Sequence, residues 1–183
     1  MKQIRLGVFG ARRGVRMMAY CRVSDQIKTV AVCDQWSPAL EEVRREFPGE
    51  DIALYEDFDT FLAECQKRDI HVILDLVLNH SGSEHAWFKE AATYLGNLNG
   101  KEPSAEECKY LDYYFFQREP ANGYCPIPGT DWYYEGRFSP EMPDLNLANP
   151  ELRQEITDIM AFWLDKGVAG FRLDAAKEFY SGQ

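Results

Sequence analysis

Short apolar runs alternate along this chain with segments of helical spacing. That alternation constrains the fold most, because strands separated by helices pair in parallel and give an α/β sheet. Arg5 to Gly10 (RLGVFG) is an apolar run closed by glycine, followed at helical spacing by Val15, Met18 and Cys21/Val23. Lys28 to Cys33 (KTVAVC) is a second strand, closed by Asp34. Ser37-Pro38 predicts an N-cap followed by proline at the first helical position, with Leu40, Val43 and Phe47 on one face. Ile52 to Tyr55 is a brief apolar piece, and Asp57 to Arg68 predicts an amphipathic helix with Phe58, Phe61, Leu62 and Cys65 inward. Val72 to Leu78 (VILDLVL) is apolar almost throughout, as expected of a parallel strand covered on both faces.

From Ser81 to Asn149 glycine, proline, Trp and Tyr crowd together with little periodicity, and a segment this long carries function or structure of its own. Its Tyr and Phe run from Tyr110 to Phe116 reads as core of that insertion, with His85 and Trp87 packed inside it and His71 at the surface before it. Asn149-Pro150 then caps a helix with Leu152, Ile156, Ile159, Met160 and Trp163 on one face and Gly167 as its stop. Val168 to Asp174 (VAGFRLD) is the last strand. The chain's 183 residues cannot hold a complete (β/α)₈ barrel, which needs ~250, together with such an insertion. Strands without neighbours in a half-built sheet predict self-association through open edges.

The composition, 45% hydrophobic and 27% charged, excludes a disordered or fibrous chain. No run approaches the ~18 apolar residues of a membrane span, and Arg12 and Arg13 interrupt the only early apolar stretch, so the expected address is cytoplasmic. Net charge is -10, unevenly spread: residues 1–34 hold seven basic side chains against two acidic ones, a net +5, and leave -15 to the rest. A basic head of this kind can meet phosphate, while the acidic body argues against nucleic acid as a partner. The five cysteines form no C-x-x-C pair and read mostly as small core residues, with Cys108 and Cys125 as a candidate disulfide.

In parallel α/β folds chemistry gathers at the carboxyl ends of strands. Two strand ends here are polar: Asp75-Leu76-Val77-Leu78-Asn79-His80 and Gly170-Phe171-Arg172-Leu173-Asp174-Ala175-Ala176-Lys177. Arg172 and Asp174 are two apart on a strand and project to one face. A guanidinium beside a carboxylate orients it and favours its charged form, which suits a nucleophile.

DLVLNH, DWYYEGRFSPEMPDLNLANPELR and GFRLDAAK, in that order, resemble the alpha-amylase family, glycoside hydrolase family 13, in its oligosaccharide-cleaving branches. The resemblance runs from about Asp57 to Gln183 and implies a partial (β/α) barrel with an inserted domain at about 81–149, acting on α-glucan oligosaccharides by a retaining mechanism. Carried over, Asp174 is the nucleophile and Arg172 its partner, His80 bonds the sugar, Asp75 supports the strand end, and Lys177 contacts the sugar beyond the cleavage point. Asn79 resembles a calcium ligand of many members, and Met142 to Asn146 (MPDLN) resembles the marker of the inserted domain. A retaining glycosidase also needs a second carboxyl group as acid, ~5–5.5 Å from the first. In this family it follows the fifth barrel strand, whereas the chain ends after the fourth, so the chain alone is expected to be inactive.

GVFGARRG followed by VAVCD resembles instead the dinucleotide-binding half of the glucose-fructose oxidoreductase and inositol dehydrogenase family. A glycine turn lets pyrophosphate approach a helix N-terminus, and an acid further on meets the ribose. The resemblance implies NAD or NADP, with Gly10 and Gly14 at the turn, Asp34 at the ribose, and Arg12, standing where a second glycine is usual, at a phosphate. The expected organisation is therefore a chimera: residues 1–60 as Rossmann-like βα units, joined to residues 61–183 as the partial barrel. The alternatives to a hydrolase are an oxidoreductase-like dinucleotide binder and a chimera without catalytic function.

Overall fold

The computed structural model describes residues 3–179; Lys2 of the basic head and the chain's last residues, to Gln183, lie outside the described residues. Two compact units result, Met1–Val72 with Lys166–Ala169, and Ile73–Asp165 with Gly170–Gln183.

The first unit runs β1 (Ile4–Phe9), α1 (Ala11–Cys21), β2 (Ile27–Cys33), α2 (Ser37–Glu46), β3 (Ala53–Tyr55), α3 (Phe58–Lys67). The strands are parallel in the order β1-β2-β3. Strand side chains alternate between faces, so Leu6, Val8, Val32 and Leu54 pack with Met18 of α1 and Leu40 and Val43 of α2. On the opposite face Phe9 meets Phe58 at 4.6 Å between ring centroids, and Tyr55 meets Phe61 at 5.7 Å. Helices thus cover both faces of the sheet. Gly14 lies buried where α1 crosses β1, and a Cβ there would stand 2.2 Å from Val8 Cγ1. The boundary expected near residue 60 falls inside α3, whose four inward residues are all buried.

Two local expectations change. Val23 is exposed, because α1 ends at Cys21. Ser37 does not cap α2: Trp36 holds the cap position, Ser37 is the first helical residue, and its hydroxyl donates to Glu56 Oε1 at 3.1 Å.

The second unit pairs β4 (Ile73–Val77) in parallel with β8 (Gly170–Asp174). Between them come α4 (Ala86–Gly96), a three-stranded antiparallel sheet of β5 (Phe116–Gln117), β7 (Tyr133–Glu135) and β6 (Tyr124–Pro126), and α5 (Pro150–Asp165). Tyr113, Tyr114, Phe88, Trp132, Tyr134 and Leu152 form its core, so the Tyr110 to Phe116 run is core as expected. His85 caps α4, its Nδ1 accepting from Trp87 N–H at 3.3 Å. Asn149 caps α5, its Oδ1 accepting from the N–H groups of Glu151 and Leu152 at 2.8 and 3.0 Å. Gly167 beyond it has φ +96°, the left-handed conformation in which helices commonly end.

β4 is not covered on both faces: Ile73 is 62% exposed and Val77 39%, and they share a side with Asp75. All five cysteines are free, Cys108 and Cys125 included. His71 is exposed as expected. No helix among the described residues is long and apolar enough to cross a membrane.

Candidate active site

Parallel pairing of β4 with β8 places Asp75 opposite Arg172 and Val77 opposite Asp174. Asp75, Arg172 and Asp174 therefore project to one face. Arg172 Nη1 stands 2.8 Å from Asp75 Oδ1 and 2.7 Å from Asp174 Oδ1, so one guanidinium nitrogen bridges carboxylates on adjacent strands. These side chains are 57% (Arg172), 56% (Asp75) and 38% (Asp174) exposed, and ion pairs so open to water orient their members more than they stabilise the fold. The hydrogen bond to Asp75 and the charge of Asp174 raise the Arg172 guanidinium above its usual value. Directly after Asp174 the backbone reverses. Ala175 has φ +50°, a left-handed conformation costing a non-glycine residue roughly 1–2 kcal/mol. A short 3₁₀ turn over Ala176–Glu178 follows and carries the exposed Lys177.

The other polar strand end is held by the MPDLN segment, which lies across it as a strap. Ser81 N–H donates to Pro143 O at 3.0 Å and Leu145 N–H to Asn79 O at 2.8 Å, while Asn146 N–H reaches Tyr113 O at 2.8 Å. His80 and Asp144 form an antiparallel bridge, as do Tyr114 and Leu145. Side chains repeat the tie: Asn79 Nδ2 donates to Asp144 Oδ1 at 3.0 Å, both residues being buried. Ser81 Oγ lies 2.8 Å from the Tyr114 hydroxyl, which burial pushes up to about 12. His80 packs 5.4 Å from Phe138, and its Nδ1 is buried without a hydrogen-bond partner. Burial also raises the Asp144 carboxyl, against the opposing pull of the Arg137 N–H, the Arg137 guanidinium and His80.

The donors at Asn79 do not fit a calcium ion, which takes 6–8 oxygen ligands. Asn79 presents its amide N–H, not its oxygen, to Asp144, and the other Asp144 oxygen faces Arg137, 3.4 Å from its N–H and 3.7 Å from Nε. Among the described residues no three His, Cys, Asp or Glu side chains are grouped to hold a metal.

In the first unit Gly10 has φ +91° at the turn from β1 into α1, with nothing within 4 Å of where a Cβ would lie. Gly14 does not line that turn; it is the close contact between α1 and β1. Asp34 reaches the turn: its Oδ2 accepts from Ala11 N–H at 2.8 Å and its Oδ1 from Trp36 N–H at 2.9 Å. The Arg12 guanidinium lies 5.4 Å over the Trp36 ring. The turn thus presents an open Gly10, the first-turn N–H groups of Arg12 and Arg13, and the Asp34 carboxylate, each of whose oxygens accepts one backbone N–H.

The structure thus brings Asp75, Arg172 and Asp174 together on one face and holds Asn79 and His80 together against the strap. Sequence reasoning singled out MPDLN but gave no role to Asp144, nor to Glu135 and Arg137 in YYEGR, although a carboxylate inside a marker motif was a visible signal.

Residues 40–182 match the family description "Alpha amylase, catalytic domain", beginning well before Asp57, where the motifs alone placed the start. Glucan 1,6-alpha-glucosidase of Streptococcus pneumoniae is 36% identical over 168 residues, covering 82% of this chain and 29% of that protein. Alpha-amylase 3 of Dictyoglomus thermophilum is 40% identical over 127 residues, covering 68% of this chain and 23% of its own length. The chain therefore spans less than a third of these relatives. Among solved structures, Eubacterium rectale Amy13B has a TM-score of 0.65 at 50% identity over 68% of this chain and 24% of its own. Isomaltulose synthase from Erwinia rhapontici, at 23% identity, shares the fold over 97% of this chain and 35% of its own, with a TM-score of 0.59. Resting on a match from residue 40 to residue 182 that takes in both polar strand ends and the strap, the chain belongs to the alpha-amylase family, through that family's catalytic domain.

Proposed function

We propose that this chain carries the nucleophile half of a retaining α-glucoside hydrolase site. The observation that carries the reading is the Arg172 bridge, which fixes Oδ1 of Asp174 and leaves Oδ2 for attack on an anomeric carbon. Asp75 holds Arg172 from the neighbouring strand, His80 offers a sugar contact, and Lys177 lies beyond the cleavage point. The names of the relatives, glucan 1,6-alpha-glucosidase, oligo-1,6-glucosidase and trehalose-6-phosphate hydrolase, favour short α-glucosides as substrates. A second carboxyl group placed to protonate a sugar leaving group is not among the described residues of this face, where Asp75 and Asp174 both engage Arg172. Cleavage of unactivated glucosides by the chain alone is therefore not expected.

A substrate whose leaving group needs no proton separates these statements. With α-maltosyl fluoride, Asp174 Oδ2 bonds to the anomeric carbon as the carbon–fluorine bond breaks and fluoride departs with the electron pair. Intact mass should rise by one maltosyl unit, Asp174→Asn should abolish the adduct, and maltotriose should remain uncut. Equal fluoride release by the chain and by Asp174→Asn would remove Asp174 as nucleophile. Cleavage of maltotriose would show that the chain supplies its own acid.

A second reading applies to the first unit. We infer a dinucleotide-binding turn there, supported by the open Gly10 at the end of β1 and by Asp34, which reaches that turn from the end of β2. Gly10, Arg12 and Asp34 would hold NAD or NADP, whose bound nicotinamide supplies hydride chemistry. Titration with NADH and NADPH tests it; unchanged cofactor fluorescence with both rejects it.

A further inference from the structure

Two carboxylates lie almost out of water beside the strap: the side chain of Glu135 is 11% exposed and that of Asp144 6%. Burying a carboxylate costs several kcal/mol unless a partner compensates it. Their shared neighbour is Arg137, two residues after Glu135 on the turn leaving β7. Its Nη2 lies 2.7 Å and its Nε 2.8 Å from Glu135 Oε1, its Nε 3.7 Å from Asp144 Oδ2, and its backbone N–H 3.4 Å from the same oxygen. Asp144 in turn gives its other oxygen to Asn79 and its backbone to His80. A continuous line of polar contacts thus runs from Glu135 through Arg137 and Asp144 to Asn79 and His80.

We propose that Arg137 is the resident cation of this strap, a positioning residue that orients Asp144 and through it the Asn79–His80 strand end, so that no metal ion is needed there. The oxygen a calcium ion would take from Asn79 is turned from Asp144 by the amide's own hydrogen bond. The Asp144 oxygen it would share faces a guanidinium that already brings positive charge. A divalent ion would have to displace Arg137 to share Asp144 Oδ2.

Melting in EDTA and in millimolar calcium tests this, with the imidazole proton resonances of the three histidines followed by NMR. The unaltered chain should melt at one temperature in both buffers. Arg137→Met should melt on the order of 5 °C lower, from the cost of unpaired buried carboxylates and the usual shift per kcal/mol. It should move the His80 resonances while leaving His71 and His85 in place, and Arg137→Lys should restore most of both. Should Arg137→Met not fold, Glu135→Gln/Arg137→Met, with one carboxylate fewer, carries the same comparison. A melting point of the unaltered chain that falls in EDTA or rises in calcium overturns the proposal. So does an Arg137→Met chain with unchanged melting and unchanged His80 resonances. Neither readout needs turnover, so this inference and the hydrolase reading fail separately.

Discussion

Replacing Asp34 by alanine separates the two tasks its position allows, closing α1 and meeting a ribose. Its carboxylate accepts two backbone N–H groups, from Ala11 at 2.8 Å and Trp36 at 2.9 Å. Hydrogen bonds to a charged group contribute ~1.5–3 kcal/mol when sheltered. Asp34 is half-buried, so each contributes about 1 kcal/mol. The carboxylate also faces the positive end of the α1 dipole, an effect of roughly 0.5 kcal/mol near a surface. Asp34→Ala should therefore cost about 2 kcal/mol, which lowers a urea midpoint by about 1 M at a slope near 2 kcal/mol per molar. Asp34→Asn keeps one acceptor oxygen and loses the charge, so about half that shift is expected. The assay is urea unfolding by far-ultraviolet circular dichroism, with NADH fluorescence titrated alongside in the absence of urea. Trp36, the sole tryptophan of the first unit, gives a local fluorescence signal. An Asp34→Ala chain unfolding at the unaltered midpoint would refute the capping argument. If the midpoint held while the NADH response vanished, Asp34 would be a ligand residue only.

Other measurements probe separate parts of the chain. Gly14→Ala should lose about 1–2 kcal/mol net, because overpacking against Val8 outweighs the ~1 kcal/mol that alanine adds to a helix; an equal loss in a Val8→Ala background would show that the Val8 contact is not the cause. Burial, with Asp34 and Asp57 adding to it, pushes the Cys33 thiol up to about 11, so at pH 8 a thiol reagent should modify Cys21 and Cys125 well before Cys33. Peptide mapping in which Cys33 reacts as fast as Cys21 would contradict this. Lys67 and Arg68 hold the Glu64 carboxyl down at about 2, below its unfolded value of ~4.3. That stabilisation is complete above about pH 5 and fades as pH falls from ~4.3 towards 2. Glu64→Gln should flatten melting temperature against pH in that window, and an unchanged slope would sink the assignment.

Periodicity located β1, β2, β4 and β8 and the helices α1, α2, α3 and α5, because each carries an apolar stripe that the fold buries at least in part. It missed α4, although Phe88, Ala91 and Leu95 stand at helical spacing, since the aromatic crowding around them hides a short stripe. It overestimated the cover on β4: an apolar strand signals a face that can be buried, whereas Ile73 and Val77 remain open to water. The shared face of Arg172 and Asp174 was legible because strand side chains alternate strictly. The position of Asp75 opposite Arg172 was not, because register between strands about a hundred residues apart is set by packing and not by local sequence. The same limit hid Arg137, whose role depends on a strap seven residues further along the chain and on Asn79 far before it.

The half-exposed state of the Asp75, Arg172 and Asp174 side chains bears directly on what they can do. Two charges ~3 Å apart attract about 1.4 kcal/mol in water and roughly four times that at an effective dielectric near 20. A guanidinium bridge therefore orients Asp174 in the present exposure without the electrostatic force that catalysis draws from a dry cavity. The face they occupy is flanked by Ile73 and Val77, whose exposed apolar surface is what a water-excluding cover would bury. Adduct formation from the activated fluoride asks only for an oriented nucleophile, whereas hydrolysis of a glucan asks for the cover and the acid together. The contrast between those two substrates thus measures how much of a glycosidase's power lies in the orientation of Asp174 and how much in the enclosure around it.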